Sequence, residues 1–288
     1  MAEELIDLVR AELAEPVDPR VRTMAAGIAA LHPGAARAIL FYGSGLRQGV
    51  LEGAMLDFYL IVSDYRDAYG SSWLVLANSL LPPNVFPFAE GGLIAKYAVL
   101  SEADFARLNG PEAGDVSVWA RFAQPSRLVW AADEAAGEAA VAAVARAAPT
   151  LLAYAAPMTE DGGDPLAPWR RGFALTYASE LRAERQGRPE SIVDTEPDRY
   201  RRFADAAEVA PAPGAARAWA RFRRRGKILS LVRLAKAATT YAGGADYLAW
   251  KINRHAGTRI EVRPWQRRWP LLGGLILLPR LFLRGAIR

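Results

Sequence analysis

The chain has 288 residues, a formal net charge of +5, and 52% apolar against 23% charged residues. This composition is typical of a globular protein and is long enough for one large or two modest domains. It contains no cysteine and only two histidines, His32 and His255, which excludes disulfides, cysteine nucleophiles and a multi-histidine metal centre.

Charge is distributed unevenly along the chain. Residues 214–288 contain 17 Lys and Arg against 2 Asp and Glu, a net charge of +15, whereas residues 1–213 contain 19 against 29, a net charge of −10. This asymmetry is typical of a protein whose basic end meets a polyanion, either nucleic acid or an anionic lipid surface. The acidic start, MAEELIDLVR, resembles neither a secretory signal nor a transit peptide. We therefore expect a cytoplasmic protein.

Apolar runs predict strands in the first half of the chain, and helical periodicity dominates the second half. The predicted strands are 37–42, 55–62, 92–100 and 126–131. The predicted helices are 3–14, 19–31, 69–81, one that begins after Ser101, 133–155, 169–187, 197–208, 214–241 and 245–256. Pro82-Pro83-Asn84 predicts a turn.

Strands followed by helices predict an α+β fold with a mixed sheet and flanking helices, and then a helical domain. The Pro, Gly and Asp cluster at 157–168 predicts the boundary between them. The predicted divisions are a catalytic domain at 1–156, a helical domain at 165–258 and a basic amphipathic tail at 259–288.

The segment 39–64 carries the most informative pattern, because a strand runs into Gly43-Ser44 and a second strand places Asp57 thirteen residues after Ser44. A glycine lets the backbone approach a phosphate, and the N–H groups of a turn that opens a helix donate to oxyanions. A strand aspartate can hold the Mg²⁺ that bridges nucleotide phosphates, and Arg47 can stabilise nearby negative charge. An ordinary turn followed by an Asp that caps a loop is the alternative interpretation.

Two further cations have open interpretations. Lys96 lies in the middle of an apolar strand, GLIAKYAVL, where an unpaired buried lysine is costly. It therefore faces either a cleft that contains an anion or an edge open to water. Arg121, shortly before Pro125, is either a solvated surface charge or a functional cation.

An ordered set of motifs in residues 35–200 resembles the mitochondrial-type phosphatidate cytidylyltransferase family, known also for translocator assembly and maintenance, within the nucleotidyltransferase superfamily. The resemblance is weaker, but perceptible, in Lys227–His255. The matching motifs are Tyr42-Gly43-Ser44-Gly45, Met55-Leu56-Asp57-Phe58, Lys96-Tyr97, Trp119-Ala120-Arg121-Phe122, Leu175-Thr176-Tyr177 with Glu180 and Arg182, and Ile192-Val193.

The resemblance implies a nucleotidyltransferase-like sheet and a Mg²⁺-dependent reaction in phospholipid biosynthesis, in which CTP and phosphatidic acid give CDP-diacylglycerol and pyrophosphate. The roles that it implies are nucleotide binding by Gly43, Ser44, Arg47 and Tyr97, metal binding by Asp57, charge neutralisation by Lys96 and Arg121, and a cleft lined by Tyr177, Glu180 and Arg182.

One position departs from the superfamily pattern, in which many members carry a second carboxylate two residues after the first. That position is Tyr59 here. In this respect the chain resembles the narrower cytidylyltransferase family, which also has an apolar residue at this position instead of a carboxylate. The second metal ligand is therefore unassigned, with Asp64 and Glu52 as candidates.

The C-terminal quarter predicts a lipid-facing element. Residues 217–236 form a basic amphipathic helix, which is either a core helix with a solvated face, a nucleic-acid binder, or a membrane-facing or phosphate-binding element. In the tail, Trp265 and Trp269 suit a membrane interface, and the six arginines of residues 263–288, among them Arg267 and Arg268, suit anionic headgroups. An in-plane anchor is the favoured interpretation, and docking on the protein's own helical part is the alternative.

The sequence therefore predicts a phosphatidate cytidylyltransferase at the cytoplasmic face of an inner membrane, or at the matrix face in a mitochondrion. Its partners would be CTP, phosphatidic acid and an anionic membrane surface, with no nucleic acid expected. The rival predictions are a nucleotidyltransferase that acts on RNA or a small molecule, and a catalytically decayed membrane scaffold.

Overall fold

The computed structural model of the chain describes residues 3–160, 163–180 and 190–240. Arg182, the predicted helix 245–256 and the predicted tail at 259–288 lie outside these residues.

Five strands form one mixed sheet, in the order β3-β4-β2-β1-β5. The β2–β4 pair is parallel, and the other three pairs are antiparallel. The strands are β1 Ala36–Tyr42, β2 Met55–Val62, β3 Asn84–Glu90, β4 Leu93–Ser101 and β5 Ser126–Ala131. The predicted α+β class, with a mixed sheet and flanking helices, is confirmed.

The helices surround this sheet, and their starts follow ordinary capping chemistry. Asp18, Ser101 and Asp133 accept hydrogen bonds from backbone N–H groups of the first turn that follows each of them. The helices are α1 Glu3–Ala14, α2 Pro19–Ala30, α3 Ser44–Gln48, α4 Tyr65–Ala68, α5 Ser72–Leu80, α6 Glu102–Asn109, α7 Trp119–Phe122, α8 Glu134–Ala145, α9 Ala147–Ala155, α10 Ala167–Ser179, α11 Glu190–Thr195, α12 Pro197–Ala206 and α13 Ala215–Thr240.

Strand β3 is the one strand of the described sheet that the sequence prediction missed. Its centre carries Pro87, which has no N–H to donate to a sheet ladder. The structure places β3 at the edge of the sheet, where it pairs only with β4 and a proline is tolerated.

The two faces of the sheet bury separate hydrophobic clusters. One face packs against α2 and α5, through residues such as Met24, Ile28 and Val75. The other face packs against most of the remaining helices, and its cluster contains Leu5, Phe173 and Trp219. This second cluster joins residues from both sides of the 157–168 segment, so the two predicted domains share one core.

The stretch Glu134–Met158, which covers α8, α9 and a short 3-10 turn, is long and apolar enough to cross a membrane by length and composition alone. Its most apolar window is 61% buried inside the protein. Many of its alanines, such as Ala140 and Ala147, belong to the core cluster, which is typical of an internal helix.

A buried ion pair joins α12 to α1. The Arg199 and Glu12 side chains are only 5% and 10% exposed, and Arg199 Nη2 lies 3.0 Å from Glu12 Oε1. Arg199 also donates a 3.1 Å hydrogen bond to the Ala123 carbonyl, and its guanidinium lies 4.2 Å from the centre of the Phe203 ring. Every side of this arginine therefore meets a protein partner.

Candidate functional site

Strand register brings three polar side chains together on one face of the sheet. Tyr42, the last residue of β1, is the partner of Asp57 in β2, and Asp57 is the partner of Lys96 in β4. Paired residues on neighbouring strands point to the same face, so all three lie on the side of the helical core. Lys96 Nζ lies 3.0 Å from Asp57 Oδ1, and both side chains remain partly accessible to solvent.

The glycine–serine turn lies directly beside this carboxylate. Gly43 has a φ of +89°, in the left-handed region that favours glycine, and a Cβ built on it would lie 3.0 Å from Asp57 Oδ2. Ser44 follows at the exposed start of α3. Gly45 permits the close packing of α3 on β2, because a Cβ there would lie 2.9 Å from Leu56 Cδ2.

A second charged pair approaches from the helical side. Trp119 and Phe122 are buried and anchor the short helix α7, which leaves Arg121 between them directed to the site. Arg121 Nη1 lies 3.4 Å from Glu180 Oε1 at the end of α10, with side-chain exposures of 31% and 12%. Arg121 also donates a hydrogen bond to the Ser117 carbonyl.

The electrostatics keep this arginine charged. Burial alone would lower the pKa of Arg121, but Glu180, the two tyrosines Tyr59 and Tyr42, and Asp57 outweigh it, so its pKa lies above the usual value. Because Asp57 contributes to this shift, the strand pair and the helical pair act on one another across the site.

Tyr42 is a member of the site to which the sequence analysis gave no role. Burial, followed by the charge of Asp57, raises the pKa of Tyr42 well above the ordinary value, although Arg121 opposes this. Its ring lies 5.3 Å from that of Tyr59, which occupies the position of the second superfamily carboxylate. Burial also raises the pKa of Tyr59, so both phenols are neutral at physiological pH and can donate hydrogen bonds. Strand alternation in β1 was the signal that could have placed Tyr42 beside Asp57.

The other predicted site residues lie in different places relative to Asp57. Arg47 Nη1 donates a 2.9 Å hydrogen bond to Gln124 Oε1, just beyond α7. Tyr177 lies on α10, one turn before Glu180, and is half-buried against the helical core. Tyr97 lies on the opposite face of the sheet, with its hydroxyl 3.3 Å from His32 Nε2. Since consecutive strand residues point to opposite faces, Tyr97 is removed from the candidate site.

The donor set at Asp57 bears on the predicted Mg²⁺. Within the described ranges, no cluster of three or more His, Asp or Glu side chains could hold a metal ion. Asp64 caps α4 by accepting from the Arg66 N–H, and Glu52 forms a 2.6 Å ion pair with Arg20. Mg²⁺ is commonly held by one or two carboxylates together with substrate phosphates and water. A single carboxylate fits a metal that arrives on a triphosphate, rather than one that the protein binds alone.

This arrangement suits the binding of a polyphosphate. The cations Lys96 and Arg121 and the Tyr42 hydroxyl face the same region as the backbone turn at Gly43-Ser44, with the Asp57 carboxylate among them. A search of family models found none that matches the chain, and no curated protein matches it.

Proposed function

We propose that this protein is a Mg²⁺-dependent nucleotidyltransferase that converts CTP and phosphatidic acid to CDP-diacylglycerol and pyrophosphate. The observation that carries the proposal is the convergence of the Gly43-Ser44 turn with the Asp57–Lys96 pair at one end of the sheet. The choice of CTP and phosphatidic acid rests on the resemblance of the ordered motifs to phosphatidate cytidylyltransferases.

In this proposal, the chain's own groups bind and orient the two anionic substrates. Gly43 and Ser44 offer close backbone approach and a hydroxyl donor to the triphosphate, and Asp57 holds the metal that accompanies it. The metal supplies charge neutralisation on the phosphate oxygens. Lys96 and Arg121 neutralise the remaining charge, and the neutral Tyr42 hydroxyl donates a hydrogen bond.

The reaction needs no strong general base. The nucleophile is an oxygen of the phosphatidate monoester, which is mostly ionised at neutral pH because its second pKa is about 6. That oxygen forms a bond to the α-phosphorus of CTP, the bond from this phosphorus to the β-phosphate oxygen breaks, and pyrophosphate leaves with the electron pair. The principal barrier is the approach of two anions, which positioned cations lower.

The existing ion pairs support this use of the cations. Lys96 contacts Asp57, and Arg121 contacts Glu180 at 3.4 Å, which is long for a charge-assisted hydrogen bond. A phosphate is a stronger competitor for guanidinium than a carboxylate at this distance, because it offers three acceptor oxygens. Glu180 thus holds Arg121 at the site until the substrate phosphate replaces it.

The proposed location follows from the substrate. Phosphatidic acid resides in a bilayer, so the enzyme must work at a membrane surface, either the cytoplasmic face of an inner membrane or the matrix face in a mitochondrion. The strongly basic residues 214–288 support attraction to anionic lipid.

The test is CDP-diacylglycerol formation from CTP and phosphatidic acid with Mg²⁺, for the wild type, Asp57→Asn and the matched control Asp64→Asn. Asp57→Asn is expected to lower the rate by at least about 100-fold, because it removes a charge at the reacting phosphates. Asp64→Asn changes the same functional group beyond the same strand and retains a good helix cap, so it should leave the rate within about twofold.

Two results would contradict the proposal. The absence of turnover by the wild type with any of the four nucleotides would favour the decayed scaffold. Nucleotide transfer to RNA or to a soluble acceptor, with phosphatidic acid ignored, would favour a different nucleotidyltransferase.

A further inference from the structure

Helix α5 presents an apolar face to solvent. Residues 68–89, which contain the whole helix, include no Asp, Glu, Lys or Arg. Trp73, Leu76 and Leu80 are each more than half exposed, and their spacing of three and four residues places them on one helix face. Surface helices normally direct charged or polar residues outward, so three large exposed hydrophobic side chains indicate a contact surface.

Helix α13 extends this face. Its residue Arg233 donates a 3.0 Å hydrogen bond from Nε to the Pro82 carbonyl, and Lys236 donates to the Leu81 carbonyl, so α13 lies against the C-terminal end of α5. Ile228 and Val232, two turns and one turn before Lys236, are also exposed. We name the five residues Trp73, Leu76, Leu80, Ile228 and Val232 the apolar surface.

Positive charge borders the apolar surface on α13. Arg221 precedes Arg224 and Arg225 by three and four residues. Arg224 and Arg225 in turn precede Ile228 by four and three residues. All three arginines therefore lie on the same side of the helix as Ile228. All three are exposed, and within the described ranges none forms an ion pair with an acidic side chain. Apolar side chains with an aromatic residue, next to unpaired arginines, are the composition of an interfacial membrane-binding element.

From these observations we infer that the apolar surface and its three arginines form a docking site for an anionic lipid bilayer. Charge complementarity selects this occupant. The chain's own residues 241–288 carry 9 Lys and Arg against 2 Asp and Glu, a net charge of +7, and are repelled by the arginines. A second copy of the chain would bring the same arginines to its partner. Anionic headgroups attract the arginines, and the acyl region accepts the apolar side chains.

Helix α13 separates the apolar surface from the candidate site. Gly226 packs so closely on α10 that a Cβ there would overlap the carbonyl oxygen of Ser179, the residue before Glu180. Ile228 lies two residues further, about 200° around the helix axis, so it faces away from α10. The apolar surface and the candidate site therefore lie on opposite sides of one helix. The inference names the membrane partner of the proposed function, but the docking itself does not require catalysis.

The experiment measures sedimentation of the full-length protein with phosphatidylcholine vesicles, with and without phosphatidylglycerol, in the absence of nucleotide. The double variant Leu76→Glu/Leu80→Glu should lower partitioning to the anionic vesicles by about tenfold or more. Arg221→Glu/Arg224→Glu should lower it by a similar factor and weaken its salt dependence.

Matched controls place the same changes at other exposed positions. Leu31→Glu/Val50→Glu adds two charges at exposed apolar residues, and Arg22→Glu/Arg202→Glu reverses two exposed arginines. Both should bind vesicles as the wild type does, and thermal melting confirms that each variant is folded. Asp57→Asn should also bind normally, which separates a failure of docking from a failure of the proposed catalysis.

Three results would overturn the inference. Leu76→Glu/Leu80→Glu could bind anionic vesicles as well as the wild type. It could convert a dimer to a monomer with unchanged vesicle binding, which would assign the surface to a second copy. It could also increase vesicle binding while exposing residues 241–288 to protease, which would assign the surface to the chain's own C-terminal segment.

Discussion

Two arginine–glutamate pairs lie against the same hydrophobic core and differ in how far the arginine is enclosed by protein. Arg199 and Glu12 are 5% and 10% exposed, and the arginine has further partners in the Ala123 carbonyl and the Phe203 ring. Arg121 and Glu180 are 31% and 12% exposed, and their closest atoms are 3.4 Å apart.

The difference shows how one pair of residue types can serve structure or binding. A guanidinium enclosed by protein acceptors has no accessible edge for a ligand, and losing its partner leaves a buried charge. A guanidinium that keeps an open edge and a loosely held partner can exchange that partner for a phosphate. We therefore assign Arg199 to stability and propose substrate binding for Arg121.

The largest expected effect concerns the closed pair. Arg199→Met should lower the free energy of unfolding by about 3–5 kcal/mol, because it leaves the Glu12 carboxylate buried without its partner. Urea denaturation measures the loss. The double variant Arg199→Met/Glu12→Met should recover much of it, since replacing both charges with apolar groups removes the unpaired charge. Equal losses in the single and double variants would contradict this account.

The same substitution in the open pair should act on activity. Arg121→Met is expected to lower CDP-diacylglycerol formation by about 100-fold or more, the usual cost of removing one donor to developing negative charge. Its effect on urea denaturation should be much smaller than that of Arg199→Met. If Arg121→Met unfolds the protein as readily as Arg199→Met does, the division between the two pairs is wrong.

The smallest expected effect concerns a third pair, Asp115 and Arg233, whose contribution to stability should depend on pH. Asp115 is buried, and its Oδ2 lies 3.0 Å from Arg233 Nη2. Burial would raise the pKa of Asp115, but Arg233 and the hydrogen bonds from Ser117 outweigh it and hold the pKa below its usual value.

The pKa of Asp115 is lower in the folded protein than in the unfolded chain. The stabilisation by Arg233 is therefore complete above the ordinary Asp pKa and is lost as the pH falls through the pKa of the folded protein. Thermal melts should show that Asp115→Asn flattens the decline in stability below about pH 4. Asp198→Asn, at an exposed pair with Arg201, serves as the control. An unchanged acid decline in Asp115→Asn would show that this pair is not coupled to folding.

Local pattern predicted the strands β1, β2, β4 and β5 and the first two helices, because period and capping are properties of neighbouring residues. It failed at β3, because Pro87 argues against a strand in the sequence. A proline is tolerated there only because β3 lies at the edge of the sheet. It also predicted one continuous helix over 133–155, whereas α8 ends at Ala145 and α9 begins at Ala147.

The site was predictable in part. The convergence of Gly43 with Asp57 follows from two adjacent strands, and alternation alone could have separated Lys96 from Tyr97. The contact of Arg121 with Glu180 joins residues 59 positions apart on separate helices, and no local pattern encodes it. The proximity of Tyr42 to Arg121 likewise depends on how the helices pack over the sheet, whereas its place beside Asp57 follows from strand register.

The parallel pairing of β2 with β4 makes the site sensitive to insertions. Asp57 meets Lys96 only because the two residues are register partners, and the next residue, Tyr97, points to the opposite face. A residue inserted in β4 just ahead of Lys96 would move Lys96 to the position that Tyr97 now holds, which would bury its ammonium group against His32 and leave Asp57 opposite the inserted residue. Length changes among homologues of this chain should therefore fall in the turn at Gly91-Gly92 or in the loops around α5, and not within β4 itself.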